Sequence, residues 1–254
     1  MNIKPRSQLR ILYMQIRSDA LTCAEELQEF VRHSGLQASQ FTTLNVFEQL
    51  TFPPGCADAY DALFVGGSSD ASVLEPKTYP FVEPAKALLS HCVDQSLPVF
   101  ASCFGFQLVV EALGGKVILD HDHMEMGIYP IRLTPAAQTD LLFHDSPDGF
   151  LAVSGHKERA VELPPGVTLL AFTERCPYHA IKLEGKPFYG FQFHPEVDHH
   201  DLESRISRYQ DRYLKTDGHL QEILSHLYPT PEANLLLHKF VDRVLLRSEA
   251  TDFN

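Results

Sequence analysis

Apolar residues come in short blocks through the first half of the chain, and polar or glycine-rich stretches separate them. Leu9 to Ile16 is a mostly apolar run and reads as a first strand. Ser18 and Asp19 then offer a helix N-cap. Leu21, Ala24, Leu27, Phe30 and Val31 follow at helical spacing, and Ser34-Gly35 ends the helix. Phe41 to Phe47 predicts a second strand. Ala62-Leu63-Phe64-Val65 predicts a third, which stops at Gly66-Gly67. Phe81, Ala85, Leu88, Leu89 and Cys92 mark another helix. Leu97 to Ala101 predicts a buried strand, and Gln107 to Leu113 a helix closed by Gly114-Gly115.

The pattern changes after residue 116. Val117 to Leu119, Ile128 to Leu133, Phe150 to Val153, Val167 to Phe172, His179 to Leu183 and Phe188 to Phe193 are strand-like segments separated by turns. From His200 the chain turns helical, over Leu202 to Leu214, His219 to Leu227 and Glu232 to Leu246. Strand–helix alternation with short apolar strands predicts an α/β fold with a parallel sheet between helices. The later strands predict antiparallel hairpins added to that sheet. The stripe Leu235, Leu236, His238, Lys239, Phe240 and Val244 in the last helix predicts core packing.

With 44% hydrophobic and 21% charged residues, the 254-residue chain has the composition of a globular domain. The net charge of −12 argues against nucleic acid or an anionic membrane as a direct partner. No apolar stretch has the ~18 residues a membrane span needs, so the expected location is the cytoplasm. Five scattered cysteines, none in a metal-knuckle or CxxC spacing, fit free thiols in a reducing compartment.

Cys103 falls between a buried strand and a helix, with the small residues Ala101 and Gly105 two positions to either side. A nucleophile elbow needs small residues there because its tight turn brings backbones together. The turn would lift the sulfur to the carboxyl edge of the sheet, at a helix N-terminus whose dipole favours thiolate. A free cysteine at such a junction can equally be a buried core residue. His194 ends a late strand, and Glu196 follows it after the rigid Pro195. That spacing lets the carboxylate orient the imidazole as a base. Gly66-Gly67-Ser68-Ser69-Asp70 directly follows a strand, and its backbone can present N–H donors to an oxyanion. Gly67 and Phe104, the residue after the cysteine, are the expected donors.

Cys103-Phe104-Gly105-Phe106-Gln107 with Gln192-Phe193-His194-Pro195-Glu196 closely resembles the class I glutamine amidotransferases, the Cys-His-Glu glutaminases. Gly66-Gly67 matches the oxyanion strand of that family. Ser154-Gly155-His156-Lys157-Glu158, followed by Leu163-Pro164-Pro165-Gly166, looks like its loop between nucleophile and base. The resemblance implies a flavodoxin-like three-layer sandwich with a mostly parallel central sheet, added antiparallel strands and a C-terminal helical extension. It implies an amidotransferase domain over residues 1–197 and an extension, 198–254, packed on it. It also implies attack of Cys103 on a glutamine amide, release of ammonia and hydrolysis of a γ-glutamyl thioester. Gly66 and Gln107 would bind substrate, and no cofactor is needed. Two departures stand out. The glycine loop reads Gly-Gly-Ser-Ser-Asp instead of Gly-Gly-Pro-Gly, and Ala101 stands where glycine is frequent.

Residues 198–254 are too few for a synthetase domain, and the layout resembles stand-alone members similar to the glutaminase domain of GMP synthetase. Three functions fit: an amidotransferase passing ammonia to a partner enzyme, a γ-glutamyl peptide or amine hydrolase, and a non-catalytic interaction protein. The intact Cys103, His194 and Glu196 weigh against the last. His121-Asp122-His123 and Asp198-His199-His200-Asp201 read as solvated loops rather than metal ligands, so no metal is expected.

Overall fold

The computed structural model describes residues 4–208 and 225–247. Among these, nine strands form one sheet in the order β2-β1-β3-β4-β11-β10-β9-β6-β7. Strands β1 (Ile11–Gln15), β2 (Phe41–Asn45), β3 (Ala62–Val65), β4 (Val99–Ser102) and β11 (Phe188–Phe191) run parallel. From β11 the sheet continues antiparallel through β10 (Ala180–Leu183), β9 (Val167–Phe172), β6 (Glu125–Leu133) and β7 (Phe150–His156). This is the flavodoxin-like layout with added antiparallel strands that the sequence predicts.

Alternation along the buried strands builds the three layers. Leu63, Val65, Val99 and Ala101 face α2 (Val82–Gln95) and α3 (Phe104–Ala112), where they meet Leu88, Leu89, Phe104 and Leu108. Their neighbours Ala62, Phe64 and Phe100 face the opposite side, with Tyr189 and Phe191. There they pack on Phe30 of α1 (Ala20–Ser34) and on Leu236 and Leu237 of a C-terminal helix. Helix α1 starts where expected, since the Asp19 carboxylate accepts the Thr22 N–H at 2.8 Å. It stops at Gly35, whose φ of 66° suits a residue without Cβ.

Three readings need correction. Val117 to Leu119 does become a strand, β5 (Lys116–Leu119), but it does not join the main sheet. It pairs with β8 (Glu158–Glu162) in a separate two-stranded ribbon. The Glu111 carboxylate at the end of α3 accepts the Val117 N–H at 2.8 Å and starts that ribbon over the helix. The stretch Ser154 to Glu158 is not a loop, because β7 runs through His156 and β8 begins at Glu158. The last helix is α-helical only over Pro231–Lys239, and a wider π-type turn, Phe240–Leu245, continues it.

The helix expected over Leu202 to Leu214 is described as α4 (His199–Arg208), and the last helix is α5 (Pro231–Lys239). Most of the helix expected over His219 to Leu227 lies outside the described residues. Among the described residues no helix is long and apolar enough to cross a membrane.

Phe240 shows how firmly the C-terminal segment is bound. It is fully buried, and its ring sits 5.8 Å from Phe64, 5.4 Å from Phe100 and 6.0 Å from Tyr189. Phe240→Ala should therefore cost about 3–5 kcal/mol in urea unfolding. A cost below about 1 kcal/mol would show that this segment is peripheral to the core.

Candidate active site

The pairing of β4 with β11 brings the two sequence motifs together. Ser102 is in register with Phe191, and the Cys103 N–H then donates to the Phe191 carbonyl at 2.7 Å. Helix α3 starts at the next residue. Held between that hydrogen bond and the helix, Cys103 adopts φ 49° and ψ −102°, a left-handed conformation that is strained for a side chain with a Cβ. The small neighbours are required by contact. A Cβ on Gly105 would lie 2.9 Å from Val65 Cγ1 and 3.0 Å from the Val65 carbonyl oxygen. Ala101 is fully buried, with Val65 and Gly190 as its neighbours on the flanking strands.

Past the end of β11, the His194 N–H donates to the Val153 carbonyl at 2.8 Å and fixes the chain against β7. The His194 ring donates Nδ1–H to Glu196 Oε1 at 2.7 Å and contacts the Cys103 sulfur. The sulfur in turn lies 3.6 Å from the Gly155 carbonyl oxygen. Burial by itself would lower the His194 pKa. The adjacent sulfur and the Glu196 carboxylate more than reverse this and hold it up at about 10. Burial pushes the Glu196 carboxyl up, but the facing imidazole outweighs it and keeps that carboxyl below its usual range. A protonated ring against the sulfur stabilises the thiolate.

The sequence reading missed how Glu196 is held. Asn234 of α5 donates its side-chain N–H groups to the carbonyls of Pro195 at 2.9 Å and Val197 at 3.0 Å. The carboxylate is thus clamped from both flanks by a residue about forty positions away. Read only as an apolar stripe, that helix gave no sign of it.

Gly67 also reaches the site. A Cβ there would stand 2.9 Å from His194 Cε1, 3.2 Å from an Arg17 nitrogen and 3.5 Å from the Cys103 Cβ. Its N–H donates to Glu26 Oε1 at 3.2 Å, away from the sulfur. Glu26 is fully buried on α1, paired with Arg17 at 2.9 Å and accepting the Tyr13 hydroxyl. Gly66 packs on the same carboxylate, 2.9 Å from where its Cβ would be, and is not part of the pocket wall. Phe104 is the first residue of α3, so its N–H has no acceptor within the helix. Gln107 is buried and donates to the Glu158 carbonyl at 2.9 Å and to Gln192 Oε1 at 3.4 Å.

A pocket of about 220 Å³ opens over Cys103. Arg17, Ser69, Lys157, Glu158 and Arg205 supply its polar wall. Met126, Leu202 and Ile206 supply apolar surface. Arg205 ties α4 over this pocket by an ion pair with Glu29 of α1, and Arg32 pairs with Asp201. The Asp198 carboxylate accepts the His200 and Asp201 N–H groups, so this acidic cluster caps α4. His123 and Arg159 both contact Asp120.

The family model for class I glutamine amidotransferases matches residues 25–210. The chain is 33% identical over 127 residues to the glutamine-hydrolysing component of the GMP synthase of Methanocaldococcus jannaschii, covering 50% of this chain and 65% of that protein. It is 35% identical over 122 residues to the corresponding component from Thermococcus kodakarensis, covering 48% of this chain and 63% of that one. The match thus spans just under two thirds of those relatives' length. In the GMP synthase of Streptococcus uberis it covers 42% of this chain but 20% of that protein, at 37% identity. A solved glutamine amidotransferase from Thermotoga maritima superposes with a TM-score of 0.75 over 94% of this chain and 99% of that one, at 19% identity. Another, from Methylobacillus flagellatus, gives 0.71 over 97% and 99%, at 20% identity. At such identities these two likenesses speak for the fold, and the family match carries the assignment: the chain belongs to the class I glutamine amidotransferases.

Proposed function

We propose that the protein hydrolyses the side-chain amide of glutamine through Cys103 and delivers the ammonia to a separate synthetase. The observation that carries this reading is the buried line from Cys103 through His194 to Glu196, closed by the 2.7 Å hydrogen bond and set at the floor of a pocket. The thiolate adds to the amide carbon, and the C–O electron pair moves onto oxygen. The N–H groups of Gly67 and Phe104 are the proposed donors to that oxygen. Gly67 must first turn its N–H from Glu26, so substrate binding and loop movement are coupled. His194 then protonates the leaving nitrogen, ammonia departs and a γ-glutamyl thioester remains. Water, deprotonated by His194, cleaves the thioester to give glutamate and the free cysteine.

The wall suits an amino acid. Arg17, Lys157 and Arg205 offer positive charge for the α-carboxylate, and Glu158 offers negative charge for the α-ammonium. Gln107 lies between Glu158 and Gln192 and positions that part of the wall. The synthetase partner rests on the likeness to proteins named as components of GMP synthase.

Cys103→Ser and Cys103→Ala should each lower glutamine hydrolysis by about 10⁴-fold or more, with circular dichroism unchanged. Glu196→Gln should cost less than His194→Ala, because it orients a reacting group and does not itself react. A glutamine-mimicking electrophile should label Cys103 alone in peptide mapping. Burial pushes the Cys92 and Cys176 thiols up to about 12, which keeps them unreactive. Efficient turnover of γ-glutamyl dipeptides with poor use of glutamine would overturn the choice of substrate.

Gly67→Ala should reduce kcat by about 10²-fold or more, since its new methyl meets the His194 ring and the donor is displaced. Wild-type kcat in this variant would remove Gly67 from the mechanism. The charge pairing has its own readout. His194 should titrate near 10 by NMR in the wild type and lower in Cys103→Ser. Because its folded value is raised, the stability it contributes is full below the unfolded value of about 6.5 and is lost as pH rises through about 10. Identical titration in both proteins would show that the sulfur is not its charge partner.

A further inference from the structure

Behind the active site lies a second cluster that the proposed chemistry does not use. Glu125 of β6 is fully buried, and its Oε2 accepts Ser154 Oγ at 2.8 Å, His156 Nε2 at 3.2 Å and His179 Nε2 at 2.8 Å. Its Oε1 accepts the Thr173 hydroxyl at 2.5 Å. Both imidazoles therefore carry their ring N–H toward one carboxylate. Their other nitrogens, His156 Nδ1 and His179 Nδ1, are buried without a hydrogen-bond partner. The two side chains are 1% and 0% exposed, so the lone pairs have no access to bulk water. Cys176 is also fully buried, and its sulfur and one nitrogen from each of the two rings all lie within 4.8 Å of one another.

We propose that His156, Cys176 and His179 form a binding site for a zinc-class transition-metal ion, with Glu125 as the outer carboxylate that orients both imidazoles. Two imidazoles and a thiolate are the donor set of zinc and its borderline-soft neighbours, not of magnesium or calcium. A carboxylate gripping the far nitrogen of each ligand histidine is the arrangement that fixes tautomer and ring angle at such centres. The spacing is compatible. Tetrahedral ligands at the usual zinc distances stand roughly 3.3–3.6 Å apart, so the donors need to close by about 1 Å or less.

The charge balance also favours a cation. The hydrogen-bond partners of Glu125 are two hydroxyls and two imidazoles, with no lysine or arginine among them. Binding of a divalent ion to the thiol expels its proton to solvent and leaves a net charge of +1 beside that carboxylate. The metal would join β7 to the turn between β9 and β10. Each carries a wall of the active site. His156 follows Gly155, whose carbonyl meets the Cys103 sulfur, and the His179 carbonyl accepts the Gln192 N–H at 2.8 Å, two residues before His194.

The test uses the full chain, reduced and stripped with a chelator, then titrated with Co²⁺. A sulfur-to-cobalt charge-transfer band in the near ultraviolet should grow and saturate at about one equivalent. It should be lost in Cys176→Ser, be retained in Cys103→Ser, and be displaced by Zn²⁺ with a rise in Tm. X-ray absorption on the wild-type zinc complex gives a readout independent of whether Cys176→Ser folds. One sulfur and two imidazole nitrogens are expected. Absence of the band in the wild type, a sulfur-free shell, or a band that survives Cys176→Ser and vanishes in Cys103→Ser would each overturn the proposal. None of these outcomes bears on glutamine hydrolysis, which Cys103 alone tests.

Discussion

The parallel ladder between β4 and β11 is the contact on which the rest depends. Its last rung sets Ser102 beside Phe191, and one further hydrogen bond, from Cys103 to Phe191, ends the strand and forces the left-handed turn. The two strands are separated by nearly ninety residues of chain, so nothing local holds them together. Burial on both faces does. The rings of Phe100 and Phe191 lie 4.5 Å apart on one side, while Ala101 and Phe188 face α3 on the other. If the register slipped by one residue, every side chain would change face and the sulfur would point into the core. Register is thus fixed by hydrophobic pattern, and the position of the candidate nucleophile follows from it.

The strain at Cys103 is met by local fit. A left-handed cysteine costs on the order of 1–3 kcal/mol. The glycine at 105 lets α3 sit directly on the Val65 carbonyl, and the helix presents its unpaired N–H groups where charge would develop. On the opposite wall, a buried carboxylate on α1 holds the glycine loop through the Gly67 N–H. An anion already occupies one proposed donor, so the resting arrangement is organised around Glu26 and not around a substrate oxygen.

Much of this was legible in the sequence because periodicity and short-range spacing carried it. Asp19 and Gly35 bound their helix as expected, and the strand before Cys103 announces itself by five apolar or small residues. His194 and Glu196 are two positions apart, so a short motif could relate them. Glu26 and Arg17 pair across a strand–helix junction, and Asn234 reaches back nearly forty residues. No local pattern marks such contacts. Strand β8 was missed because Glu158, Arg159 and Glu162 look like loop residues, although Ala160 is fully buried. The end of β7 was missed for a related reason. Ser154 and His156 are polar, but they face Glu125 inside the protein instead of water.

The Asn234 clamp has a consequence for the order in which the protein becomes competent. The chain leaves the ribosome from its N-terminus, and every reacting group of the proposed site has been made by residue 196. Until α5 emerges and docks, the carbonyls on either side of Glu196 lack their shared donor, and Phe64 and Phe100 lack their cover. The acid that aligns the imidazole is thus secured by the last part of the fold to be synthesised. A nascent chain would hold the sulfur, the ring and the carboxylate, but not yet the alignment that makes them one machine.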